Sequence, residues 1–210
     1  KALELNALNT RALVNLGQLI EKHSRNYDEA ESLFKKAIES DEDDWEAHMA
    51  LGHLLYADKN QPAEAEKEIR RAIELAPANA RLHSELGNVL SSESGKLEES
   101  EVELKKGIEL AGEHGVPHYF FANFLLNKRG RVDEAEREYR KALQMDNTYY
   151  EAMIALADLL VNQKHVFDES NDLYKKALKL NPKNPEAHYG LAVIREKLFK
   201  DAPGAESELR

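Results

Sequence analysis

The sequence predicts an all-α fold: a solenoid of stacked antiparallel helix pairs with a 35-residue period. Three observations predict it. First, a small–large–small pattern returns along the whole chain without drift. The first small residue falls at Ala30, Ala65, Ser100, Ala135, Ser170 and Ala205, the large one at Phe34, Ile69, Leu104, Tyr139, Tyr174 and Leu209, and the second small one at Ala37, Ala72, Gly107, Ala142 and Ala177. Second, each period divides into two stretches whose apolar residues recur at helical spacing. Third, the composition is 42% hydrophobic and 32% charged, with only 10 glycines and 6 prolines, as suits a helix-rich chain. A unit of this length cannot bury a core alone and has to stack on its neighbours.

The element boundaries follow from local chemistry. In residues 45–79, Trp45 to Tyr56 carries Ala47, His48, Leu51, Gly52 and Leu55 on one face. Residues 57–62 form a polar turn. Ala63 to Ala76 carries Ala65, Ile69, Ala72 and Ile73 on one face, and Pro77 stops it. Asn184 before Pro185 marks the same boundary, a capping side chain followed by proline at the first helical position. Gly17, Gly52, Gly87, Ala122, Ala157 and Ala192 share a register where only a small residue lets the paired helix approach. Residues 1–210 therefore read as one array. Residues 1–9 read as the end of a preceding unit, further units start near 10, 45, 80, 115, 150 and 185, and the last is incomplete.

These residues resemble the tetratricopeptide repeat family, whose pattern is Trp-x2-Leu-Gly-x2-Tyr, then Ala-x3-Phe, Ala and Pro. Leu51-Gly52, Leu55, Ala65, Ile69, Ala72 and Pro77 fit in succession, and Leu191, Ala192 and Ala205 fit in the last unit. The family period is 34, so each unit here gains one residue in its inter-helix turn. The Trp position holds Leu13, His48, His83, His118, Met153 and His188. The Pro position is kept at Pro77 and Pro182 and replaced at Glu42, Gly112 and Asn147. The resemblance implies a right-handed superhelix that acts as a non-catalytic protein-interaction scaffold. It also implies that the first helix of each pair lines a concave groove holding a peptide.

Three registers of the first helices would face that groove, spaced i, i+4 and i+7. One holds Val14, Met49, Ser84, Tyr119, Ile154 and Tyr189. The next holds Gln18, His53, Asn88, Asn123, Asp158 and Val193. The third includes Glu21, Tyr56, Ser91, Leu126, Val161 and Glu196. The repeat core is assigned instead to Leu16, Leu51, Leu86, Phe121, Leu156 and Leu191. Asn88 and Asn123 can donate to and accept from an extended backbone. Tyr56, Tyr119, Tyr189 and Met49 offer adaptable apolar contact. Some family members clamp a free carboxylate with basic residues and asparagines. Here Val14, Met49, Ser84 and Glu85 stand where bases would be wanted, and Arg81 is the one well-placed cation. The expected ligand is therefore an internal, partly apolar segment, with a basic residue opposite Asp158 or Glu151.

Other chemistry is weighed and set aside. Four of the 8 histidines share a register, but equivalent positions on stacked helices lie roughly 10 Å apart. A zinc ion needs its ligand atoms at about 2 Å, so no metal is expected. His114 and His118 are four apart, with Gly115 and Pro117 breaking the helix that would align them. There is no phosphate loop, nucleophile elbow or His-Glu-x-x-His, so neither an enzyme activity nor a cofactor is expected. The sequence holds no cysteine, no Asn-x-Ser/Thr acceptor and no apolar run approaching about 18 residues, which favours a cytoplasmic protein without membrane insertion.

Basic doublets recur at Lys35-Lys36, Arg70-Arg71, Lys105-Lys106, Arg140-Lys141 and Lys175-Lys176. Glu31, Glu66, Glu101 and Glu136 stand four residues earlier, the orientation that contributes about 0.2–0.5 kcal/mol per pair. The doublets therefore read as a self-neutralised outer face. Nucleic acid is not the expected partner, because the net charge is −10. A pentatricopeptide-like RNA binder, which shares the 35-residue period, stays as an alternative, and so does the targeting arm of an enzyme. A further alternative is a head-to-tail homo-oligomer. Ala205-Glu-Ser-Glu-Leu-Arg210 followed by Lys1-Ala-Leu-Glu-Leu-Asn6 would complete one helix in register.

Overall fold

The computed structural model describes residues 2–201, and among these every regular element is a helix. The chain divides into two compact units, Lys1–Gly112 and Glu113–Arg210, where the sequence reads as a single array. The division falls at Ala111-Gly112-Glu113-His114-Gly115, the one junction with two glycines, where Gly112 replaces the stopping proline and adopts φ 59°. The complementary end segments lie outside the described residues: nothing is described of the side chains of 1–8 or of residues 202–210, including Ala205 and Leu209.

The first unit contains α1 (Ala2–Ser24), α2 (Tyr27–Ser40), α3 (Trp45–Ala57), α4 (Pro62–Leu75), α5 (Ala80–Ser91) and α6 (Leu97–Ala111). The pairs α1/α2, α3/α4 and α5/α6 pack internally, and α2 on α3 and α4 on α5 join successive pairs. One boundary differs from expectation. α1 runs unbroken from Ala2 to Ser24, with no end near residue 9, because residues 6–10 contain neither a proline nor a glycine to stop it.

The second unit contains α7 (Val116–Arg129), α8 (Val132–Met145), α9 (Tyr150–Leu159), α10 (Phe167–Leu180) and α11 (Pro185–Asp201). Here α7/α8 and α9/α10 are the internal pairs, joined by α8 on α9 and α10 on α11.

Helix starts obey the capping chemistry. The Asp44 carboxylate accepts from the Glu46 and Ala47 N–H groups, the Asn79 side chain from Arg81 N–H, and the Asn184 side chain from Ala187 N–H at 2.9 Å. The turn inside each pair is also periodic. Arg25, Asn60, Gly95, Gly130 and His165 stand 35 residues apart and all have positive φ. A six-residue closing bond follows in three of these turns: Gln61 N–H to Leu55 O at 2.8 Å, Arg131 N–H to Leu125 O at 2.9 Å and Val166 N–H to Leu160 O at 3.0 Å. In the last complete pair α9 also ends in a π-helical turn, Leu160–Lys164.

The packing register is as the sequence predicts. Ala30, Ala65, Ser100, Ala135 and Ser170 are fully buried, as are Ala37, Ala72, Ala142 and Ala177, and Phe34, Ile69, Leu104, Tyr139 and Tyr174 are at most 1% exposed. Small residues on the first helices are required by distance. A Cβ at Gly52 would lie 2.6 Å from Ile69 Cγ1, and one at Gly87 would lie 2.5 Å from Leu104 Cγ. Ala122 and Ala157 hold that register in the second unit, fully buried. Two expected core members depart from the pattern. Leu16 is 46% exposed, because no second helix precedes α1 among the described residues to cover it as α2 covers Leu51. Ala192 is exposed, and the residue it would meet, Leu209, is outside the described residues.

Candidate ligand-binding face

The packing just described decides which first-helix residues remain available. In the i register the expectation fails at three places: Val14 (4% exposed), Ser84 (0%) and Ile154 (3%) are buried and offer no ligand surface. Their register faces the second small residue of the paired helix. A Cβ at Gly107 would lie 2.5 Å from Ser84 Oγ, so this side chain fills the seam inside the pair. Met49 and Tyr119 are half-buried in the same register, and Tyr189 is 73% exposed.

The i+4 register is open. Gln18, His53 and Asp158 are exposed, while Asn88 and Asn123 are half-buried. The structure adds a feature that the sequence reading missed. Tyr139 O–H donates to Asn123 Oδ1 at 2.6 Å, and Tyr174 O–H donates to Asp158 Oδ1. Each tyrosine stands at the large-residue register, 16 positions after its acceptor. The first unit has Phe34, Ile69 and Leu104 there and makes no such bond. The signal was present in the sequence: the register turns from apolar to phenolic only where Asn123 or Asp158 lies 16 residues earlier. Asn123 therefore offers a ligand its amide N–H groups rather than its full donor–acceptor pair. In the i+7 register Tyr56 is half-buried, and burial raises its phenol pKa.

In the first unit these residues border a cleft of about 560 Å³ lined by Gln18, Glu21, Met49, His53, Asp58 and Arg81 among others. Its charges are mixed. The Glu21 carboxylate, 3.4 Å from His53 Nδ1, holds the imidazole above its usual pKa by hydrogen bonding, and burial opposes it. Arg81 Nε lies 3.5 Å from the buried Glu85 carboxylate.

The corresponding helix face of the second unit is aromatic and acidic. The Tyr119 ring lies 5.1 Å from Tyr149, 5.7 Å from Phe120 and 6.1 Å from Tyr139, centre to centre. Burial raises the Tyr119 phenol, with the charges of Glu151 and Glu186 acting in the same direction. Although Asp158 is accessible to solvent, the protein packed around its carboxyl partly desolvates it and raises its pKa, opposed by its Tyr174 bond and reinforced by Glu186. Glu151, Asp158 and Glu186 form no ion pair among the described residues.

The opposite helix faces are partly neutralised. Lys35–Glu31 (2.5 Å), Arg70–Glu66 (2.8 Å), Lys105–Glu101 (2.9 Å) and Arg140–Glu136 (2.8 Å) pair within helices. Lys59 reaches Asp28 and Glu31, Lys96 reaches Glu66, Arg70 reaches Glu99 and Arg140 reaches Glu169, each joining one pair to the next. Such exposed pairs contribute about 0–1 kcal/mol each, and they engage the first basic residue of four of the five doublets. His48, His83 and His118 fill the Trp position as buried side chains, and His188 is exposed. Among the described residues no three metal-capable side chains converge, and no helix is long and apolar enough to cross a membrane.

Stacked antiparallel pairs with a packed second-helix layer and an open first-helix face define a helical-repeat protein of the solenoid class. The period and the residues at each register name the class further, and comparison with known families agrees: a tetratricopeptide repeat model matches residues 21–80 and a TPR repeat model matches residues 167–198. Residues 21–80 and 167–198 thus carry tetratricopeptide repeats, which supports a tetratricopeptide-type helical-repeat protein. Curated proteins give no match. Solved structures do. A thermophilic TPR protein of Thermus thermophilus superposes with a TM-score of 0.78 at 22% identity, covering 88% of this chain and 98% of the other. PilF of Pseudomonas aeruginosa gives 0.67 at 20% identity, covering 97% of each chain. YrrB, a TPR protein with an unusual peptide-binding site, gives 0.51 at 21% identity, covering 90% of this chain and 95% of the other. At these identities the likeness is one of fold, an architecture that supports protein-interaction scaffolds generally.

Proposed function

We propose that the protein is a non-catalytic scaffold that binds a partner peptide segment on the face formed by its first helices. The observation that carries this reading is the first-unit cleft. Gln18, Met49 and His53, three residues of the expected ligand face, line one depression of about 560 Å³ together with Arg81. A cleft of that size with one thioether, one imidazole and flanking charges suits several side chains of an extended segment. The peptide site of the structurally similar YrrB points the same way. The ligand is an internal, partly apolar segment: the cleft sets the acids Glu21 and Asp58, with the neighbouring Glu85, beside the bases Lys22, Arg25 and Arg81, so its charge is mixed rather than the purely cationic seat a free carboxylate would need. On the second unit a basic side chain of the ligand would stand opposite Asp158 or Glu151, which form no ion pair among the described residues.

The test is selection of a displayed library of unstructured 12-residue peptides on the immobilised chain, followed by titration of the winners. Replacing Met49 and His53 together by Ala is expected to weaken binding at least tenfold, about 1.4 kcal/mol. Replacing the exposed second-helix residue Lys67 by Ala is expected to change nothing. Equal affinity for the Met49/His53 variant and the parent would overturn the assignment of the face.

A further inference from the structure

The Trp position of this chain holds a device that the peptide reading does not use. Three histidines there are buried, His48 at 7% exposure, His83 at 1% and His118 at 5%. Each bridges the two helices of its pair. His48 Nδ1 lies 2.7 Å from the Glu68 carboxylate, His83 Nδ1 2.7 Å from Glu103 and His118 Nδ1 2.6 Å from Glu138, always 20 residues on. In two of them the other ring nitrogen also has a partner. His48 Nε2 is 3.2 Å from the Glu42 carbonyl oxygen, and His83 Nε2 is 2.9 Å from the Pro77 carbonyl oxygen.

Donor counting then decides the state of the ring. A carboxylate and a carbonyl oxygen only accept, whereas a neutral imidazole has a single N–H to give. A ring held between two acceptors satisfies both only when each nitrogen carries a proton. The chain's own repeats show that the pair is exchanged as a unit. Where the position holds Leu13 or Met153, the residue 20 later is Leu33 or Leu173. Where it holds histidine, that residue is glutamate, including Glu208 after His188 in the sequence. The same seam is therefore closed either by two apolar side chains or by a histidine–glutamate bridge.

We infer that the His48–Glu68 pair is an imidazolium–carboxylate bridge, and that it makes the joint between α3 and α4 sensitive to pH in the neutral range. The charged groups around it were considered together. Glu68 on α4 favours the cation directly, and Arg71 on α4 opposes it. Asp43 and Glu74, each 3.1 Å from Arg71, offset that opposition. Lys35 and Glu39 of α2, with Lys67 and Arg70 of α4, line the same outer cleft of about 630 Å³. The net direction is upward: the Glu68 hydrogen bond raises the His48 pKa against the cost of burial, and the Glu42 carbonyl adds to the rise. A histidine raised in the folded state contributes stability that is complete below its unfolded pKa. That contribution is lost as pH rises through the folded value.

The experiment is ring-nitrogen NMR of the full chain between pH 5.5 and 9, a window in which carboxylates stay ionised. It is run beside thermal unfolding of the parent and of H48L/E68L, which copies the Leu13–Leu33 pair. Both His48 nitrogens should be protonated at pH 6, with a midpoint above 6.5 that falls in E68Q. The parent's Tm should drop relative to that of H48L/E68L as pH rises across the window. The shared titration of His53 cancels in that difference. Should H48L/E68L not fold, the E68Q midpoint decides alone. A singly protonated His48 ring at pH 6, an unmoved midpoint in E68Q, or a Tm difference independent of pH would each overturn the inference.

Discussion

The two units use one packing register but present two different ligand faces. In the first unit the open register holds Gln18, His53 and Asn88 above Phe34, Ile69 and Leu104, and the cleft mixes acids with bases. In the second it holds Asn123 and Asp158, each tied to a tyrosine hydroxyl beneath, beside aromatic rings and carboxylates that form no ion pair among the described residues. Behind these faces the small-residue registers repeat, and Ala65 and Ala135 are equally buried. Positions that touch a neighbouring helix are constrained by that helix, so they repeat. Positions that face outward are constrained only by what binds there, so they diverge.

The largest expected effect tests the shared half of that comparison. Ala135→Leu adds three carbons where the second helix meets Ala122 and should cost about 1–3 kcal/mol. Ala65→Leu in the first unit should cost the same within that range, since Gly52 and Ile69 leave it no more room. Urea unfolding midpoints of the two variants check this. A neutral result at either site would mean that the registers of the two units are not equivalent.

The next test separates the faces. Tyr139→Phe removes the hydroxyl that donates to Asn123 and should cost about 0.5–1.5 kcal/mol. It should leave the peptide affinity of the first-unit cleft unchanged. If that affinity moved with Tyr139, the two faces would not be independent.

Sequence alone went far on one side of this comparison and less far on the other. The buried registers were legible because burial at a fixed period leaves a mark at every turn of the array, from Ala30 to Ala177. The ligand face was legible in outline only. Helical periodicity gives the direction of a side chain but not what stands opposite, so Val14, Ser84 and Ile154 were read as open although the seam within each pair covers them. The hydroxyl bonds of Tyr139 and Tyr174 belong to the same class. They depend on a contact 16 residues away, and a search for small–large–small spacing treats a tyrosine there as one more bulky residue. The break between the units at Gly112 was missed because that junction's lost proline was weighed only for whether it spoils a helix.

The smallest effect lies in the left-handed turn inside each pair. Gly95 and Gly130 meet its positive φ without a Cβ, whereas His165 does so at φ 56° with one. A side chain in the left-handed region costs about 1–2 kcal/mol, and glycine gives back part of that gain through the greater freedom of its unfolded chain. His165→Gly also forfeits the His165–Phe167 ring contact at 6.4 Å. The balance is a gain of about 0.5 kcal/mol, read as a rise in the urea midpoint. Asn60→Gly in the first unit should give less, because asparagine tolerates this region better than histidine does. A loss of stability in His165→Gly would mean that the π-helical turn before it, Leu160–Lys164, depends on the histidine side chain rather than on the backbone it adopts.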